Sequence, residues 1–103
     1  DVSWNGIWQG HKIATMAEAY EINIAPHNFY GHLSNLMSAH LCVTVPNFRI
    51  MEIDIDDVPW KDEILTRIPE IKDGQLKLPS GPGWGTDLNE EVIRAHPPKT
   101  GRI

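Results

Sequence analysis

The stretch from Glu21 to Asn28 constrains the fold of this chain more than any other. Its isoleucines alternate with polar residues as in a short strand, and Pro26, which has no N–H to donate, ends that strand just before His27. Helical patterns lie on both sides, and a further strand is predicted from Phe48 to Asp54. Strand, helix and strand in this order predict parallel βα units of an α/β fold. Functional groups collect at the carboxyl ends of such strands, which is where His27 lies.

Two amphipathic helices flank the first strand. The predicted bounds are about Gln9 to Tyr20, with an apolar face at Ile13, Met16, Ala17 and Tyr20, and about His32 to Val43. Beyond residue 57 the pattern predicts a short helix between Val58 and Leu65, a hairpin turning at Asp73-Gly74, and a brief helix from Glu90 to Ala95 capped by Asn89. No parallel-strand repeat continues there. We therefore expect βα units in residues 1–57 and a wrap-around extension in residues 58–103.

Composition narrows the classes of function. With 103 residues, the chain is at most one ordinary domain with a modest core. A net charge of −5 without a run of lysine or arginine argues against nucleic acid or an anionic membrane as a partner. No apolar stretch approaches the roughly 20 residues that span a bilayer. The single Cys42 cannot form an internal disulfide, which favours a cytoplasmic location.

The opening of the chain predicts that it is part of something larger. It begins at Asp1 without an initiator methionine, and a helix signal follows within ten residues. Parallel strands take their neighbours from other βα units, so about three strands and two helices would leave long edges unpaired. We expect a C-terminal fragment, or a piece that docks on a larger body.

Three ionisable residues mark the ends of the strand-like segments: Asp1, His27 and Glu52. His27 follows Asp1 by 26 residues and Glu52 follows His27 by 25, as successive βα repeats presenting one residue each at the same rim would give. Histidine is the side chain best suited to proton transfer near neutral pH, and a neighbouring carboxylate would fix its tautomer. Glu52, in its protonated form, could donate a hydrogen bond to developing charge. The alternative is that all three are ordinary turn or rim residues.

The order of several motifs adds a resemblance. They are Asp1-Val2-Ser3-Trp4-Asn5-Gly6-Ile7, Lys12-Ile13-Ala14, Met16-Ala17-Glu18-Ala19-Tyr20, Ala25-Pro26-His27-Asn28, and Gly81-Pro82-Gly83-Trp84-Gly85 with Asp87-Leu88 and Glu91. Together they resemble the C-terminal third of an enolase-superfamily barrel of the mandelate racemase subgroup. The resemblance is in particular to acid-sugar dehydratases such as galactonate dehydratase. It implies the last units of a TIM-like (β/α)₇β barrel, followed by a C-terminal extension that reaches the capping domain.

The resemblance also implies roles for the marked residues. His27 would exchange a proton at the carbon alpha to the substrate carboxylate, Asp1 would orient and charge His27, and Glu52 would hydrogen-bond the carboxylate as it becomes an enediolate. Asn28 and His32 are candidate substrate-binding residues, although His32 also fits a simple surface position. Magnesium would be the cofactor, held by ligands on strands absent from this chain, so that the chain alone would be inactive.

The resemblance leaves two activities open, and the residues leave a third possibility. The first is dehydration of a sugar acid, and the second is racemisation or epimerisation with a second base on the opposite face. The expected partners are the rest of the barrel with its capping domain, a small carboxylate substrate, and further copies in a homo-oligomer. A fragment without activity, in which His27 is merely a turn residue, is the remaining hypothesis.

The other candidates for chemistry favour structural roles. His40 falls on an apolar helix face, as a hydrogen-bonded core histidine would, and His11 and His96 are expected to be exposed. The histidine spacing does not suit zinc, and the resemblance places the metal ligands on strands absent from this chain, so no metal ligands are predicted in it. Asp54, Asp56 and Asp57 lack the pattern of a calcium loop and are predicted to be a solvated strand end. Trp60 and Trp84 are predicted to anchor the extension by packing.

Overall fold

The computed structural model describes residues 1–55 and 58–98. Its elements are helix α1 (Val2–Glu18), helix α2 (His32–Cys42), a 3₁₀ turn (Lys61–Glu63), strands β1 (Glu70–Lys72) and β2 (Gln75–Lys77), and helix α3 (Glu90–Ala95). Within these described ranges, no helix is both long and apolar enough to cross a membrane. The elements form the α/β fragment predicted from the sequence, with α1 packed on α2.

The two predicted parallel strands run side by side as extended chain. Ile24 and Phe48 form a parallel bridge, and Ile24 N–H donates to the Asn47 carbonyl at 2.8 Å while its own carbonyl accepts from Arg49 N–H at 2.9 Å. Neither segment forms a regular ladder among the described residues, because each has only the other beside it and a parallel sheet needs neighbours on both sides. The pairing still aligns the ends of both segments at one rim, which is what positions the site.

Helix α1 begins earlier than predicted and buries a different face. It starts at Val2 rather than near Gln9, and Gly6 interrupts it with a positive φ of 74° that suits glycine. Gly10 lies against Leu41, where a Cβ would stand 2.9 Å from the leucine side chain, so the two helices approach closely. Ala14 is buried, whereas most of the predicted apolar face is exposed, at Ile13, Met16 and Tyr20.

A small core joins the two helices to the extended segments. Val2, Ala14, Leu41 and Val45 form it, and Ile24 and Met37 pack against it. The side-chain amide of Asn47 donates to the carbonyls of Ala14 and Ile22, both at 2.9 Å. One buried amide thus ties the end of α1 to the first extended segment and keeps two interior carbonyls satisfied.

The hairpin and the capped helix predicted in the extension are confirmed, whereas the helix predicted at its start is shorter. Strands β1 and β2 pair antiparallel around Asp73 and Gly74, which have φ values of 51° and 73° as a two-residue hairpin turn requires. Asn89 caps α3 by accepting a hydrogen bond from Val92 N–H at 3.5 Å. The helix predicted between residues 58 and 65 is only the 3₁₀ turn, after which Leu65 bridges Leu88.

Packing of the tryptophans is confirmed, but two polar predictions are wrong. Trp60 stacks on His96 with ring centroids 4.2 Å apart, and Trp84 meets His40 edge-on at 5.2 Å. His40 was predicted to be hydrogen-bonded, but its buried Nε2 has no partner within the described residues. Asp54, expected to be solvated, is buried at 6% exposure, because the extension covers this strand end. The other two aspartates of that prediction lie outside the described residues.

Cys42 gives a prediction that probes this packing. Burial raises the pKa of its thiol from 9.0 to about 11, despite a partly offsetting backbone hydrogen bond. Since the thiolate is the reactive form, about a hundredfold less of it is present near neutral pH than for an ordinary cysteine. We expect iodoacetamide to label Cys42 slowly at pH 8 in the native full-length protein and rapidly in denaturant, as read by peptide mass spectrometry. Equal rates in the two states would contradict burial of this helix face.

Candidate functional site

The Asp1–His27 pair is the centre of the site. Asp1 is the N-cap of α1, and His27 follows the proline that ends the first extended segment. Asp1 Oδ1 lies 2.5 Å from His27 Nδ1. A carboxylate only accepts hydrogen bonds, so the pair places the proton on Nδ1 and leaves the Nε2 lone pair free. The histidine side chain is 55% exposed, which leaves it accessible to a substrate.

Glu52 lies on the other side of His27. The Glu52 N–H donates to the carbonyl of Pro26 at 3.2 Å, which sets the two extended segments in register at this rim. Its Oε2 accepts from the backbone N–H of Asn28 at 3.1 Å and stands 3.5 Å from His27 Nε2. The histidine therefore has a carboxylate beside each ring nitrogen, one in hydrogen-bond contact and one just beyond it. Asp1, His27 and Glu52 therefore meet at one rim, as their spacing predicts.

The two predicted substrate-binding residues are placed differently. The side chain of Asn28 is fully buried, and only its backbone N–H reaches Glu52. His32 is also buried, at 9% exposure, so the surface position considered for it is wrong. Its Nε2 lies 2.8 Å from Asp62 Oδ1 in the extension, while its Nδ1 faces Asn35. Direct contact of either side chain with a substrate stays a prediction.

An aromatic group beside the histidine was missed by the sequence reasoning. Tyr30 stands edge-on to the His27 ring with centroids 6.0 Å apart, and Phe29 stacks near it at 6.5 Å. Trp4 Nε1–H donates to the Tyr30 hydroxyl at 3.2 Å, which links the start of α1 to the loop after His27. The available signal was the placement of Phe29 and Tyr30 directly after a strand-end histidine, in the loop where binding residues concentrate.

The described residues do not themselves fit a magnesium site. No group of three or more histidine, cysteine, aspartate or glutamate side chains in residues 1–55 and 58–98 is arranged to hold a metal. The nearest approach to such a group is His27 with its two carboxylates, and there the histidine separates the acids. Any magnesium used by a larger protein would therefore need ligands from elsewhere.

Residues 1–92 match the family described as "Enolase C-terminal domain-like". The chain belongs to the enolase superfamily. Its match covers the Asp1–His27–Glu52 site, both long helices and the extension as far as α3.

Individual enolase-superfamily relatives are similar over most of this chain. One relative is a protein from Burkholderia xenovorans strain LB400 that is proposed to be an L-alanine-DL-glutamate epimerase, and its crystal structure contains magnesium and fumarate. This chain is 56% identical to it and superposes with a TM-score of 0.90. The match covers 97% of this chain and 25% of that one. This chain is 33% identical to L-rhamnonate dehydratase of Saccharopolyspora erythraea, covering 94% of this chain and 25% of the relative. It is 28% identical to D-xylonate dehydratase of Haloferax volcanii, and the match covers 88% of this chain and 22% of the relative. The chain thus spans about a quarter or less of the length of these relatives.

Proposed function

We propose that this chain supplies the proton-transfer group of a magnesium-dependent acid-sugar dehydratase. In this proposal His27 removes the proton on the carbon alpha to the substrate carboxylate. Asp1 holds and charges the histidine, and Glu52 hydrogen-bonds the carboxylate as it becomes an enediolate. The observation that carries the proposal is the row of contacts from Asp1 through His27 to Glu52, at 2.5 and 3.5 Å.

Each proton in the proposed reaction has a donor and an acceptor. With Nδ1–H donating to Asp1, the Nε2 lone pair of His27 takes the proton as the C–H bond breaks, and its electrons enter the enediolate. The imidazolium that results is stabilised by the Asp1 carboxylate, and Glu52 donates its hydrogen bond to the enediolate. The imidazolium then returns the proton to the β-hydroxyl, the C–O bond breaks and water leaves. The enol that remains tautomerises to a 2-keto-3-deoxy acid.

The names of two relatives support dehydration, and one structure supports a second candidate. The L-rhamnonate and D-xylonate dehydratases are similar over 94% and 88% of this chain. The solved structure at 56% identity is of a protein proposed to be an epimerase. Epimerisation would use the same His27–Asp1 pair to move one proton, and a second base on the opposite face, outside this sequence, to move the other.

The proposal includes an organisation of the chain. Residues 1–57 form the last βα units of the barrel, and residues 58–103 form an extension that packs on the barrel and reaches the capping domain. Contacts that support packing of the extension on the βα units are the His32–Asp62 pair and the edge-on contact of Trp84 with His40. Magnesium ligands and the remaining substrate contacts come from the rest of the enzyme, so the chain alone is inactive. A homo-oligomer and a cytoplasmic location complete the proposal.

Deuterium incorporation distinguishes the two activities. We expect the full-length protein, with Mg²⁺ in D₂O and a panel of sugar acids, to release 2-keto-3-deoxy product that mass spectrometry and a keto-acid assay detect. An epimerase would instead place deuterium on the alpha carbon without loss of water, and N-acyl or dipeptide substrates should be included to reveal it. If the protein forms no product and exchanges no alpha proton with any of the carboxylates tested, that result would contradict the proposed function.

A further inference from the structure

The start of α2 contains an unusual buried group of polar side chains. Ser34 and Asn35 lie in its first turns, His32 begins it, and Asn28 lies in the loop that leads to it. All four are at least nine-tenths buried, Asn28 and Asn35 almost completely. Buried polar groups are costly unless they are hydrogen-bonded, so the bonds among them should have a function.

The hydrogen bonds run in one consistent direction. Asn28 Oδ1 accepts from the Ser34 hydroxyl at 2.5 Å, and Asn28 Nδ2 donates to Asn35 Oδ1. Asn35 Nδ2 is 3.4 Å from His32 Nδ1. Because an amide nitrogen can only donate, His32 Nδ1 is the acceptor and carries no proton. His32 Nε2–H then donates to the Asp62 carboxylate at 2.8 Å. Every donor in this series meets an acceptor.

The end of the series opposite Asp62 lies beside Glu52, the proposed catalytic carboxylate. The same Asn28 whose side chain is held by Ser34 and Asn35 donates its backbone N–H to Glu52 Oε2 at 3.1 Å. Asn28 also directly follows His27 along the chain. A small rotation of the Asn28 peptide would therefore displace both the hydrogen bond to Glu52 and the ring that Glu52 faces.

We propose that Asn28, Asn35, His32 and Asp62 are positioning residues that hold Glu52 against His27, so that the extension sets the alignment of the acid and base groups. This inference rests on the proposed role of Glu52. Its carboxylate is 49% exposed, and the hydrogen bond from the Asn28 N–H holds Oε2 on the side that faces His27 Nε2, 3.5 Å away. Alignment errors of about 1 Å cost large factors in rate, which gives such a series of bonds a catalytic effect.

Two variants of the full-length enzyme test the inference. Asn35→Leu keeps the branched side-chain skeleton but removes both hydrogen bonds of the side-chain amide, and we expect kcat to fall about tenfold with little change in KM, since Glu52 acts on the enediolate. Asp62→Leu removes the last acceptor at a site that is 66% exposed, so folding is preserved, and we expect a loss of about threefold. Asp62→Asn keeps an acceptor oxygen and should recover part of that loss. Glu63→Leu is the matched control, an exposed acid in the same turn, and should leave kcat unchanged.

A double-mutant cycle separates positioning from general stability. In a Glu52→Ala background, expected to lower kcat by about a hundredfold, neither Asn35→Leu nor Asp62→Leu should lower the rate further, because the group they position is gone. Losses of the same size in both backgrounds, or no loss in either, would overturn the inference while leaving the proposed function intact. Full activity of Glu52→Ala itself would instead remove Glu52 from the proposed mechanism.

Discussion

Replacing His27 by asparagine in the full-length protein is expected to lower kcat by about a thousandfold or more. Asparagine keeps a donor that can face Asp1 at a similar position, but it has no nitrogen lone pair that can take a proton. The loss should appear equally in steady-state turnover and in exchange of the substrate's alpha proton with D₂O. Substrate affinity should change little, because His27 acts on the reacting C–H bond rather than on the bound carboxylate.

His11→Asn is the matched control for this change. His11 is an exposed histidine on α1, away from the rim, so the same substitution there should leave turnover unchanged. A fully active His27→Asn enzyme would place the base elsewhere and make His27 the ordinary turn residue of the alternative interpretation. If His27→Asn lowers thermal stability as well as turnover, exchange of the substrate's alpha proton should be measured on the folded fraction, so that loss of the base is separated from loss of folded protein.

The second large effect is expected from Asp1→Asn. We expect kcat to fall by about two to four orders of magnitude, as for other histidine–carboxylate pairs. The amide can accept from Nδ1–H or donate to an unprotonated Nδ1, so it no longer selects the tautomer whose Nε2 lone pair faces the substrate. It also lacks the charge that stabilises the imidazolium after proton transfer. Both consequences act in the transition state, so KM should be little changed.

The pH–rate profile is the decisive measurement for Asp1. An altered profile in Asp1→Asn is expected, because the variant lacks the charged partner of the imidazolium that forms during turnover. Asp73→Asn serves as the control, since Asp73 sits in the exposed hairpin turn with a φ of 51° that asparagine also tolerates. A profile identical to that of the unmodified enzyme would count against a functional Asp1–His27 pair.

The proximity of the three site residues could be predicted because it depends on chain geometry. Parallel segments that begin at the same edge also end at the same edge, so residues one βα repeat apart meet at the rim. Pro26, which ends the first strand pattern, fixed where that segment stops. The hairpin at Asp73-Gly74 and the Asn89 cap were likewise predictable, since each is decided by a few neighbouring residues. The catalytic roles of the site residues stay a proposal.

The features that the sequence did not predict depend on contacts between distant parts of the chain. Periodicity grouped Ile13, Met16 and Tyr20 on one face of α1, but it could not show that the close approach of Gly10 to Leu41 turns Ala14 inward instead. His32 was considered as a surface residue because its partner Asp62 is 30 positions away. Contacts at that separation leave no local pattern, so burial of a single polar residue can be found only from the fold.

The Asp1–His27–Glu52 row has a consequence for how such enzymes diversify. The proposed base His27, its proposed orienting acid Asp1 and the facing Glu52 all lie within one continuous stretch, and the backbone N–H that hydrogen-bonds Glu52 belongs to the same stretch. A proton-transfer unit of this kind can be inherited whole while the remainder of a barrel changes around it. Family members bearing the names of dehydratases, a cycloisomerase and an epimerase are similar across this same quarter of their length. Relatives whose names give different reactions are therefore similar across this same region, so under the proposed function the identity of the reaction would depend largely on the parts of the protein outside it.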